Sequence, residues 1–398
     1  MKVCANGFLL PDQDGFATAR GEAFVATADN ASAVYYNPAG MTQLEGNNVR
    51  AGAYGIYLNP AFTPPAGAPN SGTTYHSTDH LAAVPQFFYT HSLKDLPLSF
   101  GLGVYSPYGL GTSWPQDTGF RSVAIHGSLE YFRISPVAAW KLPFGLSVGG
   151  GVNVDYAQAE LQQGILPAEV GGDQFSFKGN GWSAGYNLGV LWQPMDQLSF
   201  GATFRSATTI NLQGSTETIF PLFPAPVARS ASLDFKFPLT AVFGVSYRPT
   251  AKWNLEVNAH YCDWNSLGTL TIEQSAPVPP LIPQNVPVPL NWQSSWLYEF
   301  GATRYFESGW HVSGGYVFNE NSVPNANYTP FVADLNRHFF SVGTGYKGKR
   351  FDFDVAYQFC YGPDHTVTGS AVSPAGQTAN GTYSFISNAI LLTVGLHF

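Results

Sequence analysis

Charged side chains are scarce: they make up 11% of the 398 residues, where soluble domains carry roughly a quarter. Long apolar runs are missing too. No stretch of about 18 or more consecutive apolar residues exists, which excludes a transmembrane helix. The net charge of −8 comes from scattered acids, and without a basic stripe nucleic acid is excluded as a partner. Cysteines number three, Cys4, Cys262 and Cys360, which is no disulfide framework. A Cys262–Cys360 pair is conceivable only across strands far apart in the chain. The histidines form no H-E-x-x-H pattern and no ligand-spaced pair with cysteine, so neither a metal nor another cofactor is expected. The start, Met1-Lys2-Val3-Cys4-Ala5-Asn6, shows no apolar core of a signal peptide. Taken alone that argues against export, and the pattern of the remaining chain overrides it. What the sequence has in quantity is aromatic residues, 15% of the total, with 42 glycines and 29 prolines. Low charge, many rings and no long apolar run suit a transmembrane β-barrel. A large secreted β-protein is the competing class.

From Asn48 onward, strand-like segments are joined by alternately long and short connections. Short turns are read at Leu93–Pro97, Lys141–Gly145, Gln193–Gln197, Arg248–Lys252, Phe306–Gly309 and Lys347–Arg350. Long loops separate them, such as Asn59 to His80. The count is about fourteen strands, an even number with short turns on one rim and long loops on the other, as in outer-membrane barrels. A soluble sandwich has water at both ends and no reason to alternate. Period-two patterning agrees. In Leu129–Trp140 one face carries Phe132, Ile134, Ala138 and Trp140, the other Tyr131, Arg133 and Ser135. In Leu198–Ser206 the faces are Leu198, Phe200, Ala202, Phe204 against Ser199, Gly201, Thr203, Arg205. This predicts lipid outside and a polar lumen inside. The last strand alternates Ile390, Leu392, Val394, Leu396 and ends on Phe398 with no tail. Outer-membrane barrels end this way, and Phe398 is expected to be read by the barrel assembly machinery.

Residues 1–46 differ from the rest. Glu22–Gly46 reads as helix, turn and helix, with Ala23–Ala28 helix-tolerant, Asp29 or Ser32 as a cap, and Asn37-Pro38 as a turn because Pro38 pushes Asn37 out of the helical region. A fourteen-stranded barrel falls between those filled by side chains and those with an open water channel. Its lumen must therefore be occupied, and residues 1–46 are the natural occupant. The division is a hatch over 1–46 and a barrel over 47–398.

The Asn37-Pro38-Ala39 stretch, followed by a Gly/Tyr-rich first strand, resembles the FadL/TodX family of outer-membrane transporters for hydrophobic compounds. Gly101–Gly109, GLGVYSPYG, is similar to that family's third strand and its kink. Gly179–Leu191 resembles its sixth strand and Phe318–Pro324 the start of its sixth loop on the long-loop rim. The resemblance covers nearly the whole chain. It implies an all-β, fourteen-stranded barrel in the bacterial outer membrane, a partly helical hatch inside, and passive uptake of long-chain fatty acids or, in a subgroup, aromatic hydrocarbons. It implies a lateral opening at Gly103, Tyr105, Ser106, Pro107 and Gly109. Pro107 has no N–H for the ladder and the glycines ease a bend. The alternative is a strand that simply ends at Tyr105. Sideways release into lipid retains the roughly 0.8 kcal/mol that each buried CH₂ contributes. Phe8, Leu9 and Leu10 resemble the terminal segment that reaches into the family's pocket. Positions near Gln163 and Thr271, basic in fatty-acid members, are not basic here. Arg133 and Arg205, both expected to face the lumen, are the substitutes, and the departure raises the case for a neutral ligand.

The greasy loop run Ile219-Phe220-Pro221-Leu222-Phe223-Pro224 marks either a capture groove or a lid on the rim, as does Val278–Ile282. Gly181-Trp182-Ser183-Ala184-Gly185 matches G-x-S-x-G, but it lies in an alternating strand, not in a strand–turn–helix elbow. A barrel esterase or phospholipase needs a Ser–His pair close together on the outer wall. A monomer is expected, with outer-membrane lipid and a hydrophobic small molecule as partners.

Overall fold

The computed structural model describes residues 7–398. Cys4 and the start Met1–Asn6 lie outside the described residues. Fourteen antiparallel strands close into one barrel. They are β1 (Asn47–Thr63), β2 (Leu81–Ser92), β3 (Leu98–Tyr105, resuming as Leu110–Ser113), β4 (His126–Lys141), β5 (Leu146–Gln163), β6 (Gln174–Met195) and β7 (Leu198–Arg205, then Thr208–Ile219). The second half is β8 (Val227–Phe237, then Thr240–Thr250), β9 (Trp253–Cys262, then Thr269–Gln274), β10 (Asn285–Pro289, then Ser295–Tyr305), β11 (Trp310–Asn319), β12 (Arg337–Lys347), β13 (Phe351–Val367) and β14 (Gly381–His397). The cylinder closes where β1 pairs with β14, from Asn48↔His397 to Thr63↔Thr382. No helix among the described residues is long and apolar enough to cross a membrane.

The lower half, on the short-turn side, carries lipid-facing Phe200, Val245, Val312, Val342, Leu392 and Val394 at exposed outer positions. Exposed Trp140, Trp192, Trp253, Trp310 and Phe398 sit beside the short turns. Phe132, Tyr156 and Trp182 stack together where the outer face turns polar. An apolar band between two aromatic girdles is the signature of a membrane-embedded wall.

Among the described residues the polar lining of the lumen lies mainly in this lower half. In β7 the buried inward residues are Ser199, Thr203 and Arg205 below the break at Ser206-Ala207, but Ile210 and Leu212 above it. The break changes which parity faces inward, because side chains alternate strictly along a strand. The break at Pro238-Leu239 does the same in β8, placing Leu233, Phe235 and Phe237 inside and leaving Asp234 and Lys236 exposed outside. Above the membrane band the barrel is therefore mainly apolar within, apart from contacts such as Thr216 to Gln274, and polar without.

Residues 11–46 fill the lower lumen, and residues 7–10 reach into the apolar part above it. The segment contains a short helix, α1 (Gly15–Ala19), capped by the Asp14 carboxylate, then α2 (Ala33–Tyr36) and a 3-10 turn Pro38–Gln43 capped by Asn37. The helix expected over Ala23–Ala28 does not form. Glu22 and Ala28 have φ of 62° and 35°, outside the helical region. The strand wall leaves this segment no room for a helix: a Cβ on Gly201 would lie 2.2 Å from the Val25 carbonyl. Neither Asp29 nor Ser32 caps a helix through its side chain. Cys262 and Cys360 are buried free thiols on β9 and β13, not a disulfide.

Candidate functional site

The Asn37-Pro38-Ala39 turn is where the hatch meets the wall. The Asn37 amide donates to Val25 O at 2.8 Å and to Val190 O of β6 at 2.9 Å, and its oxygen accepts from Ala39 N at 3.2 Å. The turn fits because β5 and β6 present Gly149 and Gly189 beneath it. A Cβ on Gly189 would sit 2.3 Å from Asn37 Oδ1. One side chain thus holds two parts of the hatch and one strand together.

Ionic contacts fix the rest of the hatch. Arg50 of β1 is buried and bonds Asp14 of the hatch, Asp352 at 2.5 Å and Asp354, both on β13. His311 bonds Asp354 at 2.7 Å. On the opposite wall Glu256 accepts from Ala26 N at 2.8 Å and lies 3.6 Å from Arg20. Two further hatch carboxyls have no cation beside them among the described residues. Asp12 accepts from Gln358 at 2.8 Å and Glu22 from the Tyr36 hydroxyl at 2.6 Å. Burial pushes the Asp12 carboxyl up to about 6, with the Gln358 bond opposing. Burial also raises Glu22 well above the carboxylate range, the charge of Asp12 adding to it and the Tyr36 bond opposing. Glu299 of β10 contributes to both shifts.

The third strand is interrupted as its sequence implied, and it resumes rather than ending at Tyr105. The β2–β3 ladder stops at Phe87↔Val104, and β3 rejoins β4 only at Leu110↔Leu129. Ser106–Gly109 belong to neither ladder, and the upper part of β2, Leu81 to Gln86, pairs with β1 alone. Pro85 in that stretch, with no N–H to give, is a signal of an open edge. The kink is paired from inside: Leu10 N donates to Pro107 O at 2.8 Å, Gly109 N to Phe8 O at 3.0 Å, and Leu9 bridges Tyr108. Gln13 donates to Ser106 O at 3.0 Å. Gly103 leaves room for Val34 of the hatch and the Tyr105 ring. Tyr105 packs on Tyr35 at 5.1 Å and Phe88 at 5.7 Å.

Above the kink, Phe8 is enclosed by rings. Its centroid lies 4.6 Å from Trp264, 5.5 Å from Trp292, 5.6 Å from Phe235, 5.9 Å from Tyr108 and 6.0 Å from Phe237. Leu9 and Leu10 are buried beside it in the same apolar core. The inward turn of the upper barrel supplies these rings, and Trp264 and Trp292 come from breaks in β9 and β10.

Both lumen arginines face inward, as expected, with different company. Arg133 is tied to Asp155 at 2.6 and 2.9 Å. Arg205 stacks 4.3 Å over the Tyr35 ring, bonds the Tyr35 carbonyl and makes no ion pair among the described residues. It lines a void of about 20 Å³ with Glu22, His260 and Glu299.

Ile219 ends β7, and Phe220, Leu222 and Phe223 form the tip of the β7–β8 connection, with Leu222 84% exposed. They make a protruding apolar tip, the Phe220 and Phe223 rings 5.8 Å apart. Val278, by contrast, is buried and folds back on Ile282. Ser183 lies in continuous β6, without a nucleophile elbow. A Ser–His contact does occur on the outer wall: Ser113 Oγ is 2.7 Å from His126 Nδ1. Asp79 bonds the same hydroxyl, and its carboxylate lies 3.8 Å from His126 Nδ1. Among the described residues no group of His, Cys, Asp and Glu is placed to hold a metal.

Two outcomes are expected. Asn37→Ala removes three hydrogen bonds, two of them buried, and should weaken hatch seating by about 2–4 kcal/mol, read as faster deuterium uptake at Val25 to Ala28 with the barrel strands unchanged. The second concerns pH. The carboxyls of Asp12 and Glu22 have higher pKa values when seated than in water, so protonation favours seating. Their contribution is full below about 4 and is lost as pH rises through about 6 and above. Hatch amides should exchange faster at pH 8 than at pH 5 after correction for intrinsic rates, and Asp12→Asn should flatten the difference.

A family profile described as outer membrane protein transport protein (OMPP1/FadL/TodX) matches residues 1–398. A long-chain fatty acid transport protein of Salmonella typhi is 24% identical over 371 residues, covering 85% of this chain and 83% of that protein. A 47 kDa outer membrane protein of Pasteurella multocida is 23% identical over 355 residues, covering 82% and 79%. Among solved structures, a Pseudomonas aeruginosa FadL homologue superposes with a TM-score of 0.85 at 17% identity, over 98% of this chain and all of that one. The Pseudomonas putida toluene transporter TodX gives 0.76 at 16% identity, over 99% and 100%. The fold is thus shared with both, and the chain belongs to the OMPP1/FadL/TodX family of outer-membrane transport proteins.

Proposed function

We propose that this protein passes hydrophobic compounds inward across the outer membrane, long-chain fatty acids first among them. The observation that carries the reading is the Phe8–Leu10 arm. It occupies the aromatic cage and also supplies the hydrogen bonds that the kinked third strand lacks. A ligand that takes the place of Phe8 therefore also withdraws the partner of Pro107 and Gly109. Filling the cage and opening the wall become one event. The ligand then leaves between the kink and the upper part of β2, directly into lipid, without exposing its apolar surface to water. Residues 1–46 act as the hatch and the exposed Phe220–Phe223 tip as an outer contact for greasy ligands. The barrel is a monomer in outer-membrane lipid, assembled through its Phe398 end. Catalysis forms no part of the reading, which rests on the family being one of transport proteins.

Fatty acids are named for one residue as well as for the relatives. Arg205 stands at the floor of the apolar chamber without an ion pair among the described residues, while Arg133 is already neutralised by Asp155. A chain lying in the chamber can set its head group on Arg205. The second reading, neutral aromatic hydrocarbons, is favoured by the cage itself, where a phenyl ring already sits among uncharged rings.

Arg205→Ala separates them. Loss of a charged hydrogen bond costs about 1.5–3 kcal/mol, so oleate affinity should fall about tenfold or more while toluene affinity stays level. Calorimetry on the detergent-solubilised protein reads both. Unchanged oleate binding removes the carboxylate anchor and leaves the aromatic reading.

A further inference from the structure

A second ring cluster lies above the Phe8 cage, under the long loops. Its centre is Phe120, fully buried and supplied by the β3–β4 loop rather than by a strand. Phe120 packs edge-on against Phe62 of β1 at 4.7 Å and against Trp114 at 5.5 Å. Phe62 meets Tyr383 of β14 at 4.8 Å, and Tyr383 meets Tyr328 at 4.7 Å. As in the inner cage, a phenyl ring is presented by a connecting segment; here it meets one ring of the wall, Phe62, and one of its own loop, Trp114. Both cages belong to one continuous apolar core. A ligand descending from the long-loop side to Phe8 through that core meets Phe120 on its way.

The loop is held by the residues next to Phe120. Arg121 is buried and donates to the Asp173 carboxylate at 2.9 Å, to Leu166 O at 2.9 Å and to Gln116 at 2.7 Å. Asp173 and Leu166 belong to the β5–β6 loop. The Arg121 and Asp173 side chains are 1% and 0% exposed, so separating them leaves a charge that must find water before it is stable. Ser122 bonds Ser373 at 2.7 Å and Gln377 at 2.8 Å in the β13–β14 loop. Phe120 is thus set in its cage by contacts between loops, which part without breaking the barrel ladder.

We propose that the space around Phe120 is an outer ligand site for an uncharged aromatic ring, that Phe120 is its resident occupant, and that the Arg121–Asp173 pair is the latch that keeps it there. The site rests on the uptake reading and extends it to two ring-binding stations in series, one closed by the N-terminal arm and one by the β3–β4 loop.

Crystals of the full-length protein equilibrated with bromobenzene test this, with bromine located by its anomalous scattering. Phe120→Ala is expected to gain a bromine peak between Phe62, Trp114 and Tyr383 that the natural chain lacks. Phe8→Ala is the control for the inner cage. Bromine in the inner cage of Phe8→Ala with none at the outer position of Phe120→Ala overturns the outer site and leaves the uptake reading standing. Bromine in neither variant overturns the outer site together with the aromatic reading of the inner one. If Phe120→Ala does not give the heat-modifiable gel migration of a folded barrel, Phe120→Val takes its place with the same two outcomes. Arg121→Gln, with Phe120 retained, should raise bromine occupancy at the outer position above that of the natural chain, and no gain there removes the latch.

Discussion

Backbone amides cannot be left unpaired in hydrocarbon, and this constraint orders the whole molecule. It forces the sheet to close through the β1–β14 ladder. It also makes a gap in the wall costly, because every residue that leaves a ladder exposes a donor and an acceptor. The third strand leaves both of its ladders over Ser106–Gly109. The cost is met from inside, where the Phe8–Leu10 arm pairs with the kink as a substitute strand. The arm is tied in turn to a hatch whose Asp14, Asn37 and Glu256 contacts hold it in the lumen. The gap, the arm and the hatch are therefore one structural unit.

The second organising feature is the change of polarity along the axis. In the membrane band a polar lumen suits a polar hatch, which bonds through Arg50, Asn254, Glu256 and Gln358. Above the band the outside faces water, and the inside becomes an apolar chamber. The breaks in β3, β7 and β8 accomplish this, since a shift of parity exchanges inner and outer faces. The interior thus becomes mainly apolar where the exterior is wet, and the kink in β3 lies level with the upper aromatic girdle, opposite Glu130 to Phe132 of β4.

Much of this was legible in the sequence. Alternating long and short connections, the last strand to Phe398 and the excess of rings gave the barrel. Asn37-Pro38 gave the docking turn and Ser106-Pro107 the kink. What did not show has physical causes. Ala23–Ala28 has helical composition, but its backbone is decided by the wall against which it is pressed, at Gly201 and Gly244. The parity change at Ser206-Ala207 carries no proline or glycine, so nothing in the sequence marks a break there. The upper chamber is assembled from Phe62, Trp114, Phe120, Tyr328 and Tyr383, which are remote in sequence and each unremarkable alone. Arg133 and Arg205 look alike in the sequence. Only the fold shows that Asp155 lies across from one and a tyrosine ring across from the other.

The most direct measurement concerns the arm and the kink. Leu9 and Tyr108 face each other across the bridge, so Leu9→Cys with Tyr108→Cys, in a chain whose natural cysteines are replaced by serine or alanine, allows a disulfide that fixes the arm in place. Whole-cell uptake of oleate and toluene should fall to the level of cells lacking the protein when the bond is formed, and return on reduction. Uptake that is equal in the oxidised and reduced states would contradict the account, because hydrophobic compounds would then cross without displacing the arm.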